Sequence, residues 1–539
     1  MKKLLTKTDF ILYRECPQNV WVKWHKPDEY NKFEISDFEK SLGVMGNEVE
    51  TLARGMFPEG YLVEKRSEGA QELTKKLISE QTPVIFQAVF ATDKYLAATD
   101  VLEWNEEAQA YDICEIKMSS TKGEHEEGGE DDEEEEEGKP KKVNKKKELQ
   151  YEYDLAFQVN VLKMCGVNIN KKYLIRLNKE YIKVGGLDFT SGKLFIKEDK
   201  TERIEELMPV ALAEMEQSYK YLALIEKMES PCPCYYKGRS SHCTAFKYIN
   251  PEVPEYSVHD LNRIGNSKTY LKKLLDEGIL TIDKVKEDEI PKPKKAKEGE
   301  KQSKPRKLNQ VVAYKTNEPI VDLDEIKAEL KALTFPLYFL DYETYPTAIP
   351  VYNGYHPYQQ IVFQYSLHVL TEKDAKNGRE PKHFECLILD GDPAERIVES
   401  LRSNIGDTGS VISWYKSFEN HRNKELARLV PLESGFLNDV VKRTYNLMDI
   451  VNEQFYVHPG FKGSASIKKV QPVLASQLSY KTLGVQNGTE AIEAYRQISR
   501  GEFVGKDAEE KKQQMLEYCK NDTEVMYIIW KFFKNLVDK

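Results

Sequence analysis

Residues 336–344 read PLYFLDYET, an apolar run that closes on two acids one residue apart. The run predicts a buried strand, and side chains alternate along a strand, so Asp341 and Glu343 share one face at its end. Far downstream, YCKND sets Tyr518 and Asp522 four residues apart, on one face of a closing helix predicted over 507–536. Clustered carboxylates suit divalent cations that activate water and stabilise a leaving oxygen, and a nearby tyrosine can orient that water. Between the two motifs, VISWY (411–415) reads as a strand followed by a helix from Ser417, where KSFENHR offers Glu419 as a third acid. Asp449 in LMDI competes for that role. Strands at 361–369 and 383–389 and a helix at 393–404 complete an alternating α/β pattern.

Upstream, 83–90, 95–103 and 110–117 read as successive strands, 149–165 as a helix, 171–177 and 181–184 as further strands, and 201–228 as a long amphipathic helix. Glu115 and Lys117 lie two apart on one strand and so point the same way. Asp100 on a neighbouring strand can join Glu115 to hold a divalent metal, with Lys117 polarising a water or a phosphate. Gln158 follows on the next helix. Nearer the N-terminus, GNEVETLARG carries Glu48 and Glu50.

The eight cysteines are too sparse for a disulfide scaffold, and Cys232, Cys234 and Cys243 crowd into PCPCYYKGRSSHC. In a reducing compartment such crowding points to metal. His242 is an adjacent alternative ligand.

At 539 residues the chain exceeds what one core fills. Its net charge of −10 misleads, because residues 124–137 hold 11 acids and no Lys or Arg. Removing their charge leaves the remainder near neutral, which is compatible with nucleic acid without arguing for it. The poly-acid run belongs to a disordered acidic and basic insertion at 122–148, and a Lys/Pro-rich linker occupies 286–308. The acidic run could cover the upstream cleft as a nucleic-acid mimic. No apolar run reaches the ~18–20 residues of a membrane span, and no signal peptide is read at the N-terminus. We therefore expect a cytoplasmic protein. Two further segments are candidates for strand contact. HPGFKGSASIKK (458–469) could meet phosphates through main-chain N–H groups and Lys468 or Lys469, and Tyr352, Tyr355, Tyr358 and Phe363 could stack bases or pack in the core.

Two resemblances sharpen these readings. Asp100, Glu115-x-Lys117 and Gln158 resemble the PD-(D/E)XK nuclease superfamily in its RecB-like branch, which includes nucleases of CRISPR adaptation. Leu162 stands where that branch often carries a tyrosine. Cys16 before this core and Cys232, Cys234 and Cys243 after it resemble the iron–sulfur staple of some RecB-like nucleases, though C-x-C-x₈-C is looser than their spacing; four thiolates suit a [4Fe-4S] cluster, the one implied, or zinc as the alternative. Asp341-x-Glu343, Glu419 and Tyr518-x-x-x-Asp522 resemble the three motifs of DEDD exonucleases, with a glutamate where the second motif has aspartate. In order, YFLDYET, PYQQIVFQYS, FKGSASIKKV and YCKNDT resemble an uncharacterised bacterial family that fuses the two.

The resemblance implies an α/β multidomain protein: a RecB-like domain over 1–250, a helical connector over 251–332, and an RNase H-like 3′–5′ exonuclease domain over 333–539. It implies a Mg²⁺- or Mn²⁺-dependent phosphodiester hydrolase acting on nucleic acid, single-stranded DNA above all, in DNA repair, phage defence or CRISPR fragment trimming. A nucleic-acid-binding scaffold with degenerate sites and an RNA-processing exoribonuclease are the rival readings.

Overall fold

The computed structural model describes residues 3–33, 37–57, 59–64, 67–121, 145–190, 192–224, 226, 231–293 and 303–539. The acidic run and the centre of the Lys/Pro-rich linker lie outside the described residues. The protein is a mixed α/β chain of two compact units. Unit 1 comprises Met1–Tyr235, Cys243–Asn250 and Thr347–Gln359, and unit 2 comprises Tyr236–His242, Pro251–Pro346 and Gln360–Lys539. The expected connector therefore belongs to unit 2, while a short segment from between two unit 2 strands belongs to unit 1.

In unit 1, helix α1 (Lys7–Glu15) starts on Thr6, whose hydroxyl accepts the Asp9 N–H while the Asp9 carboxylate faces the Thr6 N–H in return. Helices α2 (Pro17–His25) and α3 (Asp37–Ala53) follow. The main sheet runs in chain order: β1 (Tyr61–Leu62), β2 (Val84–Phe86), β3 (Val101–Asn105), β4 (Ala110–Ser120), β5 (Ile169–Leu177) and β6 (Phe195–Asp199). β4 and β5 are parallel, and α4 (Lys145–Met164) makes the crossover between them. The N-terminal turn of α4 takes in Lys145–Glu148, which the sequence had assigned to the disordered insertion. Glu148 is anchored there by Arg176 and Lys200.

Three strand expectations change. The first splits at Gln87, whose left-handed backbone (φ 55°) sends Val89–Ala91 into a separate small sheet with Tyr95–Ala98. The second breaks before Asp100, which leaves that residue at the entry to β3. Residues 181–184 form no strand: Ile182 and Val184 are exposed, and the edge of β5 is taken by β6 instead. Helix α5 (Thr201–Leu222) ends earlier than the expected 228.

Unit 2 opens with the short helices α6 (Lys268–Asp276), α7 (Arg306–Thr316) and α8 (Leu323–Lys331). Its main sheet has strand order β9-β8-β7-β10-β11, from β7 (Leu337–Pro346), β8 (Gln360–Leu370), β9 (Lys382–Leu387), β10 (Ser410–Ser413) and β11 (Thr444–Asn446). β7 pairs antiparallel with β8 and parallel with β10. Even-numbered residues Tyr338, Leu340 and Tyr342 pack with α9 (Ala394–Asn404), α10 (Lys416–Leu429) and α11 (Ser434–Arg443). Odd-numbered Leu337 and Phe339 pack on the opposite face with Tyr527, Ile529, Trp530 and Phe533 of the closing helix. Three elements complete the unit: α12 (Ile467–Leu474), α13 (Gly488–Ser499) and that closing helix, α14 (Gly505–Asp538).

Between β8, β9 and α14 lies a polar knot. The Thr523 hydroxyl meets Ser366 at 2.7 Å and His368 Nδ1 at 2.8 Å, and Ser366 meets His383 Nε2 at 2.9 Å. Burial, then the neighbouring His383 and Lys520 charges, pushes His368 down to about 3; burial and Lys520 push His383 to about 4. Unfolded histidines take up protons near 6.5, so between these values the unfolded chain binds more of them. The stability tied to the pair is complete above about pH 6.5 and is lost as pH falls toward 4 and then 3. Urea unfolding of wild type should therefore weaken from about pH 7.5 to about pH 5, and His368→Gln/His383→Gln should flatten that decline.

Candidate functional site

The alternation of β7 builds the first site. Asp341 and Glu343 continue the face of Leu337 and Phe339, so they turn toward α14. A β-bulge between Glu343 and Thr344 shifts the register with β8, and pairing resumes from Thr344 opposite Val362. On α14, Asp522 shares a stripe with Val525, Met526, Ile529 and Phe533, all buried. Tyr518 lies one turn earlier. Glu419 sits in the first turn of α10, immediately after β10, and is 4 % exposed. Ligand atoms of Asp341, Glu343 and Cys519 lie within 4.8 Å of one another. The Cys519 thiol also lies 3.9 Å from Asp341 Oδ2.

These acids crowd together, Glu343, Glu419 and Asp522 buried and Asp341 half-buried. Burial and the charges of Asp522, Glu343 and Glu419 hold Asp341 well above the usual carboxylate range. Burial pushes Glu419 up to about 8 and Asp522 up to about 6. Tyr480 donates its hydroxyl to Asp522 Oδ1, while Glu419 Oε2 is buried with no hydrogen-bond partner among the described residues. A cluster of this kind gains from a divalent cation, which would relieve the mutual repulsion and meet the orphan oxygen. Asp449 accepts from Asn446 Nδ2 at 2.7 Å, whereas the Glu419 charge bears on Asp341 beside those of Asp522 and Glu343.

The unit 1 site gathers Asp100, Glu115, Lys117 and Gln158 as the sequence suggests. Asp100 Oδ2 accepts the Ile116 N–H at 2.8 Å, which ties it to the strand between Glu115 and Lys117. Gln158 Nε2 donates to Glu115 Oε2 at 2.7 Å, and its own Oε1 is buried without a hydrogen-bond partner among the described residues. Two residues were missed. Asp154, four before Gln158 and so on the same helix face, receives Lys117. Lys7, at the start of α1, puts its ammonium 2.7 Å from Glu115 Oε1 and 3.8 Å from Asp154 Oδ1. Burial alone would push Glu115 up, yet Lys117 and Lys7 hold it well below the usual range. Burial and the Glu115 charge raise Asp100 to about 7. Glu50 also bears on Asp100 and is held by Gln87 at 2.6 Å and Arg54 at 2.9 Å.

The four cysteines converge. Sγ atoms of Cys16, Cys232, Cys234 and Cys243 lie within 4.8 Å of one another, Cys16 and Cys243 at 3.7 Å, and none forms a disulfide. Cys16 occupies the junction between α1 and α2, and Asn250 Nδ2 donates to Cys232 Sγ at 3.5 Å. The set could hold a metal. His242 turns its Nε2 to the Lys237 carbonyl at 3.1 Å and stands edge-on to His259.

The candidate stacking aromatics divide. Phe363 is fully buried and stacks on Tyr495 at 4.2 Å, and Tyr355 is buried in unit 1. The Tyr358 hydroxyl donates to the Met118 carbonyl, and Tyr352 packs edge-on to Tyr355. Phe363 and Tyr355 are core. Lys468 and Lys469 are exposed at the start of α12, and the Lys468 charge reaches Asp522. Among the described residues no helix is long and apolar enough to cross a membrane.

Thiolates brought together across so long a loop should couple metal to folding. Cys16→Ser and Cys232→Ser should each lower the metal measured in the purified protein and reduce the thermal midpoint by several degrees. Wild-type protein treated with a strong chelator should match them.

Residues 338–466 match a family described as a domain of unknown function (DUF2779). That span carries Asp341, Glu343 and Glu419 and stops short of Tyr518 and Asp522. The chain is also similar to the Uncharacterized protein MG366 of Mycoplasma genitalium, 25 % identical over 221 residues. Its homolog in Mycoplasma pneumoniae is 28 % identical over 218 residues. Each match takes in 37 % of this chain and 32 % of the relative, so the chain covers about a third of those proteins' length. No solved structure matches the chain.

Proposed function

We propose that unit 2 is a 3′–5′ exonuclease domain of the DEDD, RNase H-like type, acting on single-stranded DNA ends. The observation that carries this reading is the meeting of Asp341, Glu343, Glu419 and Asp522, with Tyr518, in one buried seam. The sheet supports it: three antiparallel strands, then two added parallel beside the first. The four acids would hold Mg²⁺ or Mn²⁺, which supplies an activated water and neutralises the leaving 3′ oxygen. The chain's own groups do the positioning. Tyr480 fixes the Asp522 carboxylate, Cys519 borders Asp341, and Tyr518 is the hydroxyl available to orient water.

For unit 1 we infer a RecB-like PD-(D/E)XK domain whose acids would hold the same ions. A specific observation favours a second reading for this unit, as a nucleic-acid-binding scaffold: Glu115 and Asp154 already carry two ammonium groups, Lys7 and Lys117. At the cysteines, sulfur spacing supports a single tetrahedral ion, zinc. With Zn–S near 2.3 Å the edge of such a site is about 3.8 Å, against 3.7 Å for Cys16–Cys243. A [4Fe-4S] cluster, which the resemblance implies, fills its own centre and would require the sulfurs to spread.

Incubation with 5′-labelled single-stranded DNA and RNA in Mg²⁺ or Mn²⁺ tests the reading. Wild type should give a ladder shortened from the 3′ end, slowed on the order of a hundredfold or more by Asp341→Ala. A ladder on RNA alone would mark an exoribonuclease. A distinct product lost only in Lys117→Ala would establish the unit 1 nuclease, and its absence would favour the scaffold. No ladder on either substrate would overturn the exonuclease.

A further inference from the structure

One cluster in unit 2 is used by none of the chemistry above. Gln310, buried on α7, holds three segments together. Its Oε1 accepts the Asn262 N–H at 2.6 Å, and its Nε2 donates to the Tyr256 hydroxyl and the Asp260 carbonyl, each at 2.9 Å. Asn262 Nδ2 in turn donates to the Gly463 carbonyl at 2.9 Å. Gly463 has a left-handed backbone (φ 78°) and meets Gln310 so closely that a Cβ there would collide with the amide.

Each strand of this knot carries a cation beside it. Arg263 follows Asn262, Lys462 precedes Gly463, and Lys307 lies three residues before Gln310 on the same helix face. Arg263 and Lys462 are both exposed, and both adopt the left-handed conformation (φ 52° and 54°), which non-glycine residues rarely hold without a reason. The Lys462 ammonium lies 5.6 Å from the Tyr256 ring centre. Lys307 and Arg263 are near enough to repel: burial, then the Arg263 charge, lowers the Lys307 ammonium from its usual range.

The same face offers a ring. Tyr314, seven residues beyond Lys307 on α7, is 40 % exposed and packs edge-on to Tyr256 at 5.4 Å. The knot also leads to the acids. Six residues after Lys462, past Ala465, whose carbonyl accepts from Trp414 Nε1 at 3.1 Å, comes Lys468, whose charge bears on Asp522.

We propose that Arg263, Lys307 and Lys462 form a phosphate-binding site for the backbone of a single nucleic-acid strand, with Tyr314 stacking a base. Three cations flanking one hydrogen-bonded knot suit a phosphate, and the exposed ring beside them selects a strand with unstacked bases over a free anion or a duplex. This rests on the exonuclease reading only in where the strand would lead, to the Asp341 seam.

The test is fluorescence anisotropy of a labelled single-stranded oligothymidylate, with Ca²⁺ in place of Mg²⁺, across a salt series. The full chain is compared with Arg263→Gln/Lys307→Gln/Lys462→Gln and with Tyr314→Ala, thermal midpoints being checked for both. The triple variant should bind at least tenfold more weakly, its salt slope shallower by about 2 at about 0.7 per lost contact. Tyr314→Ala should weaken binding with the slope unchanged. Equal affinity and slope in wild type and the triple variant, or no binding by wild type, would overturn the site. Cleavage of a small chromogenic thymidine phosphodiester with Mn²⁺ separates this from the function itself. Wild type inert on that ester removes the exonuclease and leaves the anisotropy to judge the site.

Discussion

Four carboxyl groups turned into one seam between a sheet and a helix are the constraint on which unit 2 depends. Taking such groups out of water, side by side, opposes folding, and the opposition grows as the surroundings dry. The seam persists because the residues just beyond it are so apolar. Phe339 stands two positions before Asp341 and packs against Tyr527 and Trp530, with ring centres 5.8 and 6.1 Å away. Val525, Met526, Ile529 and Phe533 extend that contact along α14. Strand and helix thus spend their inner halves on adhesion and hold out acids at the end. Buried polar bonds, Tyr480 to Asp522 and Tyr342 to Asn423 at 2.8 Å, keep the neighbouring side chains in fixed positions.

Unit 1 solves a similar crowding differently. There Glu115 and Asp154 meet ammonium groups supplied by the protein, so the negative charge is neutralised from within. Asp100, bound to a backbone N–H, is the acid left most strained by its neighbours. At Glu115 an incoming group would have to displace a lysine.

The legibility of these features in sequence followed their range. PLYFLDYET announced both its strand and the shared face of Asp341 and Glu343, because alternation is local. Tyr518 and Asp522, or Glu115 and Lys117, were readable for the same reason, whereas the grouping of Cys16 with the distant cysteines came from the family resemblance and not from any local pattern. Asp154 was also within reach, four residues before Gln158. Lys7 was not, since nothing local in KTDFILYRE joins it to Glu115 more than a hundred residues away. Tyr480 likewise sits in a segment with no periodic signal. The strand break at Gln87 was hidden because glutamine is not a residue that turns favour, whereas Asp100 is one, and the interruption there was legible. Gly463 and Gln310 reveal their pairing only once the connector is seen to be part of unit 2.

The membership of Thr347–Gln359 has a practical corollary. This segment leaves β7, pairs through Gly354 and Tyr355 with Lys183 at 2.9 and 3.0 Å, and returns to β8. Tyr236–His242 and Cys243–Asn250 trade units in the same way. No single cut in the gene divides the protein into its two bodies. Any truncation made between them strips one unit of residues that complete its core, so loss of activity in such a fragment speaks to its folding before its chemistry.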